Sequence, residues 1–149
     1  MGIALFLLAA SACGGSASEA PHPTGWTQIA ASPGEQVWGN GAVAPDEQQR
    51  YEYRTEPFAG QREDLASREA IRAAMRYPHA HFQSSVPFPG CEGLAGLMTF
   101  ALQGGGVLEE AFAVRDGNAV TVAYVYPKGV MPSPDVPGAM RATVCVLPG

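Results

Sequence analysis

The chain has 149 residues, enough for one domain, with 46% hydrophobic and 15% charged residues and a net charge of -5. Its single lysine, Lys128, and eight scattered arginines form no basic run, which argues against a phosphate-tracking nucleic-acid surface and against a basic amphipathic helix lying on anionic lipid. Low charge with 18 Gly and 13 Pro points to a loop-rich fold rather than a helical bundle.

Ile3 to Ala12 carry no charge. As a helix they would span about 15 Å, half the roughly 30 Å hydrocarbon core of a bilayer. That is too short for a transmembrane anchor and suits the apolar region of a signal peptide. The small residues Ala10-Ser11-Ala12 then precede Cys13. This run resembles the bacterial lipobox, with Ala10 at the position where Leu is commonest. The resemblance implies a diacylglyceryl group on the Cys13 thiol, removal of residues 1–12 as signal peptide, and acylation of the new amino group. It also implies a cell-envelope location, and Gly14 in place of a retention Asp favours the outer membrane, facing the periplasm. The other reading is an ordinary secretory signal cut after Ala12, leaving Cys13 a free thiol. Residues 13–23 read as the lipidated cysteine and a flexible Gly/Ser/Ala/Pro tether stiffened by Pro21 and Pro23, with His22 solvated. Residues 24–149 read as a single α+β domain.

Within the domain, Trp26 to Ala30 reads as a short strand, Pro33-Gly34 as a turn, and Glu35 to Val43 as a second strand with Val37 inward. Gln49 to Phe58 alternates, with Tyr51, Tyr53 and Thr55 on one face and Arg50, Glu52, Arg54 and Glu56 on the other. This predicts a half-exposed strand with a charged outer face. A helix capped by Asp64 or Ser67 runs to about Tyr77 and is stopped by Pro78. Ile71, Ala74 and Met75 share its expected packing face, and Arg68, Glu69, Arg72 and Arg76 point mostly outward. His79 to Val86 is predicted as a strand with Phe82 and Val86 inward.

Leu94 to Leu102, Glu109 to Val114 and Val120 to Tyr126 follow as three antiparallel strands. Asp116-Gly117 between the last two is the strongest hairpin signal in the chain. Val136, Met140, Val144 and Leu147 recur at helical spacing, although β-branched Thr143 and Val144 also suit a strand. The expected fold is an antiparallel sheet with a mid-chain and a C-terminal helix. Trp26, the meander with its Asp116-Gly117 turn and Val-Ala-Tyr strand, and the closing helix together resemble the PsbP-like fold. That resemblance implies an α/β/α sandwich and a non-catalytic module that binds protein partners; a fold analogy does not itself carry a function.

If Cys13 is lipidated, Cys91 and Cys145 remain, and in an oxidising compartment a disulfide between them is the simplest outcome. The alternative is a reactive Cys91 with His79 or His81 as base. His79 and His81 are also the best metal candidates, because i and i+2 imidazoles on a strand point to one side; Glu92 or Glu109 would supply a third ligand. Glu109-Glu110, as strand neighbours, face opposite sides and are assigned to surface and edge. Ser84-Ser85 lies in no nucleophile elbow, Gly104-Gly105-Gly106 is no phosphate loop, and no cofactor motif is present. Three functions remain open: an envelope lipoprotein that binds or scaffolds a protein partner, an envelope hydrolase or metal-dependent enzyme using His79 and His81, and a small-ligand carrier with a cavity lined by Tyr51, Tyr53 and Phe82.

Overall fold

The computed structural model describes residues 18–41 and 43–147; the signal segment, Cys13 and the start of the tether lie outside them. The elements run β1 (Thr27–Ser32), β2 (Glu35–Gly39), a 3-10 turn (Pro45–Glu47), β3 (Arg50–Pro57), α1 (Arg62–Arg76), β4 (His81–Pro87), β5 (Ala95–Ala101), β6 (Val107–Arg115), β7 (Asn118–Tyr126) and α2 (Val136–Val144). Seven strands form one sheet in the order β1-β2-β3-β7-β6-β5-β4, antiparallel throughout. The α+β class, the mid-chain helix and the C-terminal helix are as expected. The first three strands form a meander, α1 carries the chain to the far edge, and a second meander brings β7 back beside β3.

Turn chemistry sets the registers. Asp116 (φ 50°) and Gly117 (φ 74°) form a two-residue connection with both residues left-handed, the geometry that matches strand twist in a tight hairpin. It aligns Arg115 with Asn118 and Leu108 with Val125. In the Pro33-Gly34 turn, Gly34 has φ 77°, and a Cβ there would lie 2.5 Å from the Thr55 carbonyl oxygen. Only glycine fits both constraints.

Both sheet faces are covered. Leu65 and Ala73 of α1 pack on Met98, Phe100, Leu108, Phe112, Ala119 and Ala123. Alternation places Ala111, Ala113, Val122 and Tyr124 on the other face, under Val136, Ala139, Met140 and Val144 of α2. The helical period expected for α2 is therefore the one observed, except that the helix ends at Val144 and leaves Leu147 outside it.

Four expectations are corrected. The charged side of β3 does not face solvent: Glu52 is buried and lies beneath α1. The helix is rotated to match, with Leu65, Glu69 and Ala73 inward and Ile71 and Met75 exposed at 63% and 78%. On the edge strand β4, Phe82 and Val86 are exposed, because neither helix covers them; Phe82 packs edge-on against Phe100. Finally, the chain packs before residue 24. The Ala20 N–H donates to Gln36 Oε1 (3.0 Å), Gln36 Nε2 donates to the Ser18 carbonyl (3.2 Å), and the His22 ring stacks on Trp38 at 4.8 Å with the planes 5° apart. Gln36 supplies the amide partners and Trp38 the apolar surface that hold this segment down. His22 is therefore not a solvated tether residue.

Cys91 and Cys145 are disulfide-bonded, with Cα atoms 5.7 Å apart. The bond ties the loop after β4 to the end of α2, beside a hydrogen bond from Arg141 Nη2 to the Pro89 carbonyl (3.2 Å). Closing a loop with a sequence separation of 54 stabilises the fold by about 4 kcal/mol on chain-entropy grounds. The Cys91→Ala/Cys145→Ala variant is expected to lose stability of that order in urea unfolding; an unchanged midpoint would show that the cross-link contributes nothing.

Candidate functional site

The residues singled out for metal chemistry are not brought together. His79 sits in the turn after α1 with φ 67°, while His81 opens β4, and both are exposed. The strand alternation needed to aim two imidazoles at one point does not extend back to His79. Of the suggested third ligands, Glu92 accepts the Gly90 N–H (2.9 Å), which with its own N–H holds its carboxyl below the usual range. Glu109 lies half-buried on β6, on the α2 side of the sheet, and burial raises its pKa. Among the described residues no group of three or more His, Cys, Asp or Glu could hold a metal ion. Cys91 is spent in the disulfide and is no free nucleophile. The three residues expected to line one ligand cavity are not brought together: Tyr51 is fully buried against Trp38, Tyr53 lines a groove of about 230 Å³, and Phe82 lies on the opposite face near the far edge.

The strongest electrostatic feature is a network between β3 and α1, built from residues that sequence alone distributes over two solvated surfaces. Arg76 grips Glu52 with two hydrogen bonds of 2.6 and 2.7 Å. Arg68 and Arg72 both donate to Glu56 Oε1 at 2.9 Å and both contact Glu69 (2.9 and 3.1 Å). Arg54 reaches Glu69 from β3 at 3.6 Å. These spacings follow from alternation on β3 and from the i, i+4, i+8 recurrence of Arg68, Arg72 and Arg76 on one helix face. Burial pushes the Glu52 carboxyl up, but Arg76, Arg50 and Arg54 outweigh it and hold its pKa below the ordinary value. Arg72 and Arg68 do the same for Glu56 against a smaller burial effect.

Glu110 is the exception, and it corrects the surface assignment. It is buried on β6, and its pKa is pushed up to about 9 by burial first and by Glu69 second. At neutral pH it is a neutral acid beside an ionised network. A space of about 10 Å³ lies at this point, lined by Arg54, Arg72, Arg76, Tyr77 and Glu110 among others, room for about one water. The ion pairs tie α1 to β3, and beside them Arg54 Nε and Glu110 Oε1 are buried without a hydrogen-bond partner.

Turning the arginines inward leaves apolar side chains on the outside. Ile71 and Met75, between the stems of Arg68, Arg72 and Arg76, line a shallow groove of about 400 Å³ on the outer surface of α1. A second groove of about 200 Å³ lies between the start of α1 and the β4–β5 margin, lined by Arg62, Ala66, Ser85, Pro87, Gly96 and Phe112 among others. Its floor is tight: a Cβ on Gly96 would lie 2.4 Å from the Phe112 ring. On the other face, the aromatic residues form solid core. The Tyr124 hydroxyl donates to Gln49 Oε1 and accepts the Ser133 N–H (2.9 Å), pinning the loop before α2. Burial raises the Tyr124 pKa to about 12.

No family model matches the chain, and no curated protein does. Among solved structures, PA94 of Pseudomonas aeruginosa, a protein of unknown function, is similar with a TM-score of 0.57 at 13% identity. The match covers 83% of this chain and 97% of that one. Similarity at that identity concerns the fold alone.

The network is open to two tests. Arg76→Ala removes the two-point grip on buried Glu52 and leaves it only Arg50 at 3.2 Å; it is expected to cost about 2 kcal/mol, read as a lowered denaturation midpoint at constant m-value. The pH dependence has two limbs. Glu52 and Glu56 have lowered folded pKa values, so their contribution is present above the ordinary carboxylate pKa and is lost as pH falls through the folded values. Glu110 has a raised one: the folded state retains a proton that the unfolded state releases, so stability declines as pH rises from the ordinary carboxylate value toward about 9. Glu110→Gln is expected to shrink the second limb to the part carried by Glu109 and to keep the first, measured by unfolding between acid and mildly alkaline pH.

Proposed function

We propose that this protein is a lipid-anchored, non-catalytic module of the bacterial cell envelope that binds a protein partner through the outer face of α1. The observation that carries the binding surface is the inverted helix. Its charged side chains are consumed in ion pairs with β3, while Ile71 and Met75 stand exposed at 63% and 78% between arginine stems. Apolar side chains grouped on one helix face and rimmed by charge are a common form of protein-recognition surface.

The anchor reading is supported by the lipobox-like Ala10-Ser11-Ala12-Cys13 and by the cysteine count. Cys91 and Cys145 pair with each other, which accounts for two of the three cysteines and is consistent with lipidation at Cys13; the pairing itself suits an oxidising compartment. A helix on each face of an antiparallel sheet is compatible with the PsbP-like resemblance and with the binding role it implies. The outer membrane, facing the periplasm, is the proposed location. Nothing in the geometry of His79, His81 or the grooves favours the enzyme or the carrier reading over this one.

The anchor is tested by intact mass of the mature protein, expected to begin at an acylated Cys13, and by Cys13→Ser, expected to move the protein from the membrane to the soluble fraction. The surface is tested by placing a photo-crosslinker at Met75 in cells. A discrete adduct that disappears in an Ile71→Asp background is expected; the same adducts from a crosslinker at Gln103 would sink the assignment.

A further inference from the structure

Packing of the chain from Ser18 onward has a geometric consequence if Cys13 is lipidated, a consequence that rests on the anchor reading above. Four residues, Gly14 to Ala17, separate Cys13 from Ser18. Even fully extended, the five steps from Cys13 to Ser18 reach only about 17 Å. The headgroup layer above the hydrocarbon takes up roughly 5–8 Å of that, whereas a domain of this size is roughly 35 Å across. The domain cannot hang clear of the bilayer, and whatever surface surrounds Ser18 faces the lipid.

That surface is defined. Ser18 and Ala20 are strapped to β2 by Gln36 (3.2 and 3.0 Å), so the exit point of the tether is fixed relative to the sheet. Ser18 and Glu19 line a groove of about 230 Å³ with Tyr53, Arg115, Thr143 and Val146, at the C-terminal end of α2. Beside it the chain presents Val146 and Leu147, exposed at 48% and 71%. Arg115, whose Nη1 donates to the Thr143 carbonyl (3.3 Å), contributes a cation there and Glu19 an anion, so the charge at the groove is balanced. The apolar pair, not a basic patch, is the element suited to lipid.

We infer that the protein sits on the bilayer in one orientation, with Val146 and Leu147 among the lipid headgroups and acyl-chain ends, and with α1 on the far side of the sheet turned away from the membrane. The anchor, a four-residue spacer and the strap at Gln36 together set this pose. It deepens the proposed function, because it presents Ile71 and Met75 to a partner approaching from the aqueous side.

The test uses the full-length mature protein reconstituted in phosphatidylethanolamine/phosphatidylglycerol vesicles with brominated acyl chains, which quench tryptophan on contact. Leu147→Trp and Met75→Trp each add a fluorophore at an exposed site. The added emission of Leu147→Trp is expected to be largely lost relative to unbrominated vesicles, with that of Met75→Trp retained. Inserting a long Gly/Ser segment after Ala17 is expected to restore emission at position 147. Equal quenching at both positions, no quenching at position 147, or quenching unaffected by the insertion overturns the pose. Intact mass of the same sample separates the two levels. An acylated protein that fails the quenching test loses only the orientation, whereas a protein without the acyl groups loses the anchor reading and the orientation with it.

Discussion

The pairing of buried Glu52 on β3 with Arg76 of α1 is the constraint around which this fold is arranged. A carboxylate removed from water needs a partner of opposite charge with good hydrogen-bond geometry, or its desolvation dominates. Glu52 obtains one from a two-point guanidinium grip, and Glu56 and Glu69 obtain theirs from the next two arginines along the helix. These contacts fix the rotation of α1 about its axis. The aliphatic residues Leu65 and Ala73 fill the interface beside them, and Ile71 and Met75 are left on the outside. One set of ion pairs therefore determines both how the helix is seated and what it shows to solvent.

Such a network stabilises less than its count of ion pairs suggests, because each charge offsets its own desolvation first. Its larger effect is on specificity. A helix held by aliphatic contacts alone can slide or rotate by a fraction of a turn at small cost, whereas rotating α1 would break the Arg76 grip on buried Glu52 and the bonds of Arg68 and Arg72 to Glu56. Glu110 shows the opposite solution to the same problem: burial and the neighbouring Glu69 outweigh Arg54 and Arg72, and the carboxyl keeps its proton.

Much of the architecture is legible in the sequence, because turn chemistry and period are local. Asp116-Gly117 specifies the β6–β7 hairpin, Pro33-Gly34 the β1–β2 turn, and the spacing of Val136, Met140 and Val144 the buried stripe of α2. The orientation of the faces is less legible. On β3 and α1, alternation and helical period hold, but the rule that charge faces water assigns each charged face to the wrong side. The clue lies in the combination of Arg50-Glu52-Arg54-Glu56 on a strand with arginines at 68, 72 and 76 on the next helix: two complementary charged stripes able to satisfy each other. For Phe82 and Val86 the missing information is topological, since nothing local marks β4 as an edge that neither helix covers. The same limit applies to His79, whose left-handed turn conformation takes it out of the strand that begins at His81.

The strap formed by Ser18 to His22 also bears on where the folded unit can be trimmed. Gln36 is buried with its carboxamide committed to Ser18 and Ala20, and the flat face of Trp38 is roofed by the His22 imidazole. A version beginning at Thr24 would retain every helix and strand of the described residues, yet it would strip the lid from an indole and leave the Gln36 carboxamide on β2 without these partners. Recombinant forms intended to behave as the native domain should therefore keep these five residues, which are fastened to the folded unit through Gln36 and Trp38.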